Sequence, residues 1–227
     1  MSWSEFKEVI GVLEKEKVIY DIFCGCPYQV LRTVKLKKYA PNEFLLEQGV
    51  IHDKFYIIVE GEADIFLVSD FGKKYYLTTY RKGKFLGELE LFDRIPYLSR
   101  VEGRGTVVTL EMDREQYLLW LEKDRNFEEY VLRTLCKLTY TSMRKMGEDT
   151  LYTLKQRICH YLIENTSGKG KKAFVLNIEE LSERMGVTSR SVNRILKSLK
   201  DKGIVEINNS KIVIKDLDAL IKEKDDK

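Results

Sequence analysis

From about Tyr28 to Met112 apolar and polar positions alternate in short runs: VKLKKY, EFLLEQG, KFYIIVEGEADIFLVSD, KKYYLTTYRKG and TVVTLEM. Alternation with a period of two, in segments rich in β-branched and aromatic residues, predicts half-buried strands. Gly49, Gly61, Gly72, Gly83 and Gly87 punctuate them, supplying positive φ where a strand must turn. Short strands with regular turn signals predict a closed or rolled antiparallel β structure.

Beyond Asp113 the period becomes helical. DREQYLLWLEKD opens with an N-cap residue and sets Tyr117, Leu118 and Leu121 on one face. Asn126 is read as the cap of a longer helix reaching about Glu148. Along it Val131, Leu135, Leu138, Ser142 and Met146 step by 4, 3, 4 and 4, close to a coiled-coil seam. Two such helices can pair, or a single helix can lie on the β structure. GEDT, residues 147–150, breaks the pattern and is the candidate hinge. TLKQRICHYLIENTSGKGKK then gives a helix with Leu154, Ile158 and Leu162 on one stripe, ending in a Gly/Lys loop. The tail KEKDDK is expected to fray.

The segment NIEELSERMGVTSRSVNRILKSLKDKG, Asn177 to Gly203, carries the sharpest pattern. Asn177 and Glu180 form a capping-box-like start, Gly186 sits in a tight turn, and Thr188 caps a second helix. In that helix Val192, Ile195, Leu196 and Leu199 face inward, and Gly203 closes it. Two short helices joined by a glycine turn make a helix-turn-helix. On the opposite face Ser189, Arg190, Asn193, Arg194 and Lys197 offer donors suited to phosphates and base edges. IVEINNSKIVIKD then reads as a hairpin wing turning at Asn208-Asn209. DNA binding is the function this pattern predicts.

Charge supports that reading. Residues 150–227 hold 16 basic against 11 acidic residues, while the remainder holds 23 against 25. A basic end on a near-neutral body suits a polyanionic partner. No run approaches the ~18 apolar residues of a membrane helix, and the N-terminus lacks a signal-peptide pattern, so a cytoplasmic protein is expected. Cys24, Cys26, Cys136 and Cys159 are expected to be reduced thiols, with redox activity or metal binding at Cys24 and Cys26 left open. The histidines are His52 and His160, whereas a metal-dependent β-barrel enzyme needs two or three converging ones. No catalytic residue and no metal ligand is assigned, and an enzyme is not expected.

A β-roll, a long helix, a hinge and a C-terminal winged helix-turn-helix, in this order, resemble the CRP/FNR family of bacterial transcription regulators. EGEADIF, FLGELELF and MGVTSRSVNRILKSLKDKGIV carry the resemblance, which covers about residues 28–215. It implies an α+β chain. Residues 1–112 would form N-terminal helices and an antiparallel, jelly-roll-like β-roll of the cyclic-nucleotide-binding fold. Residues 113–149 would form connecting and dimerisation helices, and 150–227 the DNA-binding domain. It further implies a homodimer on pseudo-palindromic double-stranded DNA, half-sites about 34 Å apart, with RNA polymerase as a further partner. The DNA contacts would be Thr188, Ser189, Arg190, Asn193, Arg194 and Lys197. The position of Arg190 often holds a glutamate that accepts from a cytosine amino group. Arginine cannot accept a hydrogen bond, so the operator is expected to differ at that base pair.

In nucleotide-binding members of the family, backbone after the glycine and an Arg-Ser or Arg-Thr pair hold the cyclic phosphate, and the glutamate takes the ribose hydroxyl. Gly87, Glu88 and Leu89 match that turn, but the pair falls at Leu98-Ser99, whereas this chain carries Ser99-Arg100. A one-residue shift on a strand reverses the face, so Arg100 is expected to point away unless a bulge restores it. Ser142 lies near where such members place a hydroxyl that reaches the base across the dimer. The effector-pocket candidates are therefore Gly87, Glu88, Leu89, Ser99, Arg100 and Ser142. A cyclic nucleotide, another small effector, a thiol response or no effector all remain open. The iron–sulfur cluster of the FNR branch fits the cysteine spacing poorly, and no cofactor is assigned.

Overall fold

The computed structural model describes residues 3–167, 173–208 and 211–225. The chain divides into two compact units, residues 1–73 with 77–138, and residues 74–76 with 139–227.

The first unit opens with helices α1 (Trp3–Lys15), α2 (Lys17–Phe23) and α3 (Tyr28–Leu31). Strands β1 (Lys35–Tyr39), β2 (Leu45–Leu46), β3 (Lys54–Val68), β4 (Lys74–Tyr80) and β5 (Phe85–Leu86) follow, then the short α4 (Glu90–Asp93) and β6 (Arg100–Asp113). The sheet order is β1-β6-β3-β4, with β2 on β6 and β5 on β3. Strand β3 buries both faces. Phe55, Ile57 and Val59 enter a core with Val9, Ile19, Leu110, Met112 and Trp120. Tyr56, Ile58, Ala63 and Ile65 enter the inner core of the roll with Phe44, Leu86, Tyr97, Val101 and Val107. The inward parity switches from even to odd across the register shifts between Ile58 and Glu62. The first shift adds one residue on β3 and the second two on β6, and such bulges re-aim the strand. Gly61 sits there at φ +86°, and a Cβ would stand 2.3 Å from the Thr106 carbonyl oxygen, so only glycine fits.

Helix α5 (Arg114–Lys123) starts after Asp113, whose side chain makes no capping bond. The long helix α6 (Arg125–Leu151) is capped by Asp124 rather than by Asn126. Asp124 Oδ1 accepts from the amides of Asn126 at 3.0 Å and Phe127 at 3.3 Å, and Oδ2 accepts from Trp120 Nε1 at 3.1 Å. The carboxylate two residues earlier thus takes the orphan amides that the sequence assigned to Asn126.

Two further expectations are corrected along α6. The helix does not break at Gly147–Thr150 but continues to Leu151. Arg144–Glu148 and Lys145–Asp149 pair at i,i+4, and Thr150 Oγ1 donates to the Met146 carbonyl. Such pairs offset the roughly 1 kcal/mol that glycine costs inside a helix. The predicted seam is also partly used up at home: Val131 is buried and Leu135 packs on the first core. A quarter-turn away, Leu132, Cys136, Thr139, Met143, Met146 and Thr150 are all exposed.

The second unit contains α7 (Leu154–Ser167), β7 (Ala173–Val175), α8 (Ile178–Met185), α9 (Ser189–Asp201), β8 (Val205–Asn208), β9 (Lys211–Ile214) and α10 (Leu217–Asp225). Its core joins Ile158, Leu162, Leu181, Val192, Leu196, Leu199, Ile212 and Leu220. A small antiparallel sheet of order β7-β9-β8 supplies the wing, with Asn208 opposite Lys211. The turn assigned to Asn208-Asn209 extends outside the described residues, as does the Gly/Lys loop at 168–172. The tail does not fray at Lys222, because α10 runs to Asp225 and Glu223 accepts from Lys155 at 2.9 Å and Lys202 at 2.5 Å.

Candidate nucleic-acid interface

Helix α8 starts at Asn177, whose Oδ1 accepts from the Glu179 amide at 2.9 Å and the Glu180 amide at 3.2 Å. Gly186 ends it in the left-handed region at φ 67°, which lets the chain reverse within three residues. Thr188 Oγ1 then accepts from the Ser191 amide at 3.3 Å and starts α9. Val192, Leu196 and Leu199 are buried, locking α9 by one stripe. The opposite stripe is left to solvent: Arg190, Asn193, Arg194 and Lys197 are exposed. None of these four has a hydrogen-bond or ion-pair partner among the described residues. Ser189 behaves differently: its hydroxyl donates to Ser182 Oγ at 3.3 Å, and Ser182 Oγ donates to the Glu179 carbonyl at 2.8 Å. This hydroxyl chain ties the first turn of α9 to α8. The buried Ser182 was not singled out from the sequence, where a small polar residue among charged ones carries no signal.

The 85–100 segment is built in the opposite sense. Gly87 lies at φ +96°, and a Cβ there would stand 2.7 Å from Tyr97 Oη and 2.9 Å from the Lys54 carbonyl oxygen. Tyr97 is buried in the inner core of the roll, edge-on to His52 with ring centroids 4.9 Å apart. Its backbone is fixed on both sides, donating to the Val50 carbonyl at 3.0 Å and accepting from the Gly49 amide at 2.8 Å. Glu88 is 6% exposed, and burial, with Glu90 nearby, pushes its carboxyl up to about 8. Glu90 is also buried and accepts from the Leu98 amide at 3.2 Å. Leu89 and Leu98 are exposed and Ser99 is half-buried.

Arg100 begins β6 next to Val101, which faces the inner core. Successive side chains alternate faces, so Arg100 lies on the other side, where its Nε donates to Glu102 Oε1 at 2.6 Å. Gly87, Glu88 and Tyr97 are brought together; Arg100 is not brought to them. Ser142 is exposed on α6. Of the cysteines, Cys24 and Cys136 are exposed and Cys159 is buried, while burial pushes the Cys26 thiol up to about 12. Among the described residues no cluster of three histidine, cysteine or acidic side chains could hold a metal ion.

A Crp-like helix-turn-helix domain matches residues 156–223, and a cyclic nucleotide-binding domain matches residues 36–124. The two together take in more than half of the chain, in the order the fold shows. The chain belongs to the CRP/FNR family. It is a CRP-family transcription regulator with a cyclic-nucleotide-binding domain and a helix-turn-helix. Regulators of this family bind DNA and act as dimers.

Among relatives, the CRP-like cAMP-activated global transcriptional regulator of Mycobacterium tuberculosis is 22% identical over 196 residues, covering 81% of this chain and 88% of that protein. The cAMP-activated global transcriptional regulator CRP of Salmonella typhimurium is 21% identical, covering 79% and 89%. Among solved structures, the c-di-GMP responsive global regulator CLP of Xanthomonas campestris matches with a TM-score of 0.69 at 18% identity. That match covers 81% of this chain and 94% of the other. A CRP/FNR-family structure from Eubacterium rectale gives a TM-score of 0.68 at 15% identity, covering 90% and 97%. At these identities the structural likeness establishes the shared fold. The relatives are transcription regulators rather than enzymes, and no helix among the described residues is long and apolar enough to cross a membrane.

Proposed function

We propose that this CRP/FNR-family chain is a cytoplasmic homodimer that binds a pseudo-palindromic operator through α9 and acts on transcription together with RNA polymerase. The reading rests on the exposed stripe of Arg190, Asn193, Arg194 and Lys197, whose donors have no partner among the described residues. Thr188 and Ser189 add a cap and hydroxyls at the helix start, where a recognition helix meets the groove. The test is binding of the full-length protein to selected DNA duplexes. Enrichment of a two-fold symmetric site supports the reading, and retention of random duplexes without preference rejects it.

The dimer is formed along Leu132, Cys136, Thr139, Met143, Met146 and Thr150. These positions step by 4, 3, 4, 3 and 4 on α6 and are all exposed, a heptad seam that no described residue covers. Native mass spectrometry checks the assembly.

The roll does not hold a cyclic phosphate through Arg100. A phosphate requires a guanidinium and amide donors converging on one point. Here Tyr97 Oη stands over Gly87, a buried acid follows, and the guanidinium engages Glu102 on the outer face. Three of the named proteins are cAMP-activated or c-di-GMP responsive, yet the position where the resemblance expects the phosphate-holding arginine is Leu98 here. Millimolar cAMP and c-di-GMP are expected to leave the thermal midpoint within about 1 °C of the ligand-free value. A saturable rise of several degrees with either would overturn this part.

A further inference from the structure

Asparagine inside a helix is a poor helix former, because its amide prefers to bond the local backbone. Asn193 is the fifth residue of α9, and its side chain makes no such bond and no bond to any other described residue. Its neighbours on the exposed stripe are cations, Arg190 one turn before, Arg194 beside it and Lys197 one turn after. The one acidic residue of the helix is Asp201, at its far end. The stripe therefore contains no carboxylate, the side chain that best accepts from a cytosine amino group. It contains one side chain, Asn193, that both donates and accepts. We infer that Asn193 reads an adenine in the operator half-site, its carboxamide accepting from N6 and donating to N7.

The inference rests on the DNA-binding reading above and narrows it. Asparagine and adenine present matched donor–acceptor pairs in the major groove, while arginine matches guanine O6 and N7. Residues near the start of a recognition helix reach base edges, and later ones meet phosphates. Arg190 and Asn193 are three residues apart, about 4.5 Å along the axis at 1.5 Å per residue. That corresponds to one or two base-pair steps of about 3.4 Å. The half-site read by this chain thus contains a guanine opposite Arg190 or Arg194 and, one or two pairs away, the adenine of Asn193. Lys197, a further turn along, contacts the backbone.

The experiment is selection from a random duplex library with the full-length protein, repeated with Asn193→Ala and Lys197→Ala. The wild type is expected to enrich a symmetric site with an adenine at one defined position of each half. Asn193→Ala is expected to lose preference at that position alone, with discrimination there falling about 10- to 100-fold. Lys197→Ala is expected to keep the same site, binding all sequences more weakly and with a shallower salt dependence. If Asn193→Ala keeps the adenine, or weakens all sequences equally, the assignment is overturned while the DNA-binding reading stands. If the wild type enriches no site, the DNA-binding reading itself fails. Since residue 193 is exposed, an unchanged thermal midpoint for Asn193→Ala verifies that the fold is intact.

Discussion

The exposed stripe of α9 and the 85–100 segment of the roll both carry charged groups, and the resemblance to the CRP/FNR family is strongest in these two places. Their polar groups are used in opposite ways. On α9, four donors project into solvent with no partner among the described residues. In the roll, Glu90 accepts a backbone amide and Arg100 holds Glu102, while Tyr97 Oη is buried over the glycine turn without a hydrogen-bond partner among the described residues. A surface that awaits a charged partner leaves its donors uncommitted, whereas the 85–100 segment pairs its arginines and buries Glu88 and Glu90. The comparison distinguishes two segments that motif matching scores equally highly.

The comparison breaks most directly at Arg194. Arg194→Glu puts a negative charge against the DNA backbone and is expected to lower operator affinity by at least about 100-fold. Dimer mass by native mass spectrometry should be unchanged, and retained operator binding would remove α9 from the interface. Next comes the seam. Met143→Lys is expected to shift the dimer toward monomer and to weaken operator binding with it, because two half-sites are held only by two linked helices. Mild oxidation should cross-link the wild type through Cys136, since parallel helices bring identical seam positions within disulfide reach. Cross-linking that survives Cys136→Ser would place the seam elsewhere.

The roll side is sharpened by pH. A carboxyl raised from 4.5 to about 8 keeps its proton in the fold while the unfolded chain has lost it. Stability from this group therefore falls as pH rises across that window. Glu88→Gln should be closest to wild type in midpoint near pH 5 and more stable than it at pH 8. A midpoint difference that does not change with pH would contradict a neutral Glu88. The smallest effect expected is Asn177→Ala, which removes the α8 cap and should cost about 1 kcal/mol in denaturant unfolding.

How far the sequence could be read follows the same division. The helix-turn-helix was legible because its signals are local: a capping asparagine, a left-handed glycine and a 3–4 spaced apolar stripe fix both helices. The strands of the roll were legible by alternation, and the reversed order of Ser99 and Arg100 foretold a side chain on the outer face. Long-range competition was not legible. Asp124 takes the cap of α6 because its other oxygen also satisfies Trp120, which only the folded packing reveals. Val131 and Leu135 look like a seam in sequence, but the first core claims them. Tyr97 gave no warning either, since an aromatic after proline reads as an ordinary loop residue until it is found beneath His52 and above Gly87.

The two apolar stripes of α6 have a mechanical consequence. Val131 is keyed into the roll, and Leu132 beside it opens to solvent on the proposed dimer seam, about 100° further round the same rod. A helix that is unbroken from Arg125 to Leu151 resists twist between the two. Any repacking of the roll that turns Val131 turns Leu132 with it, so the rod works as a camshaft. Rotation applied at one lobe is delivered, undiminished and in phase, to the next.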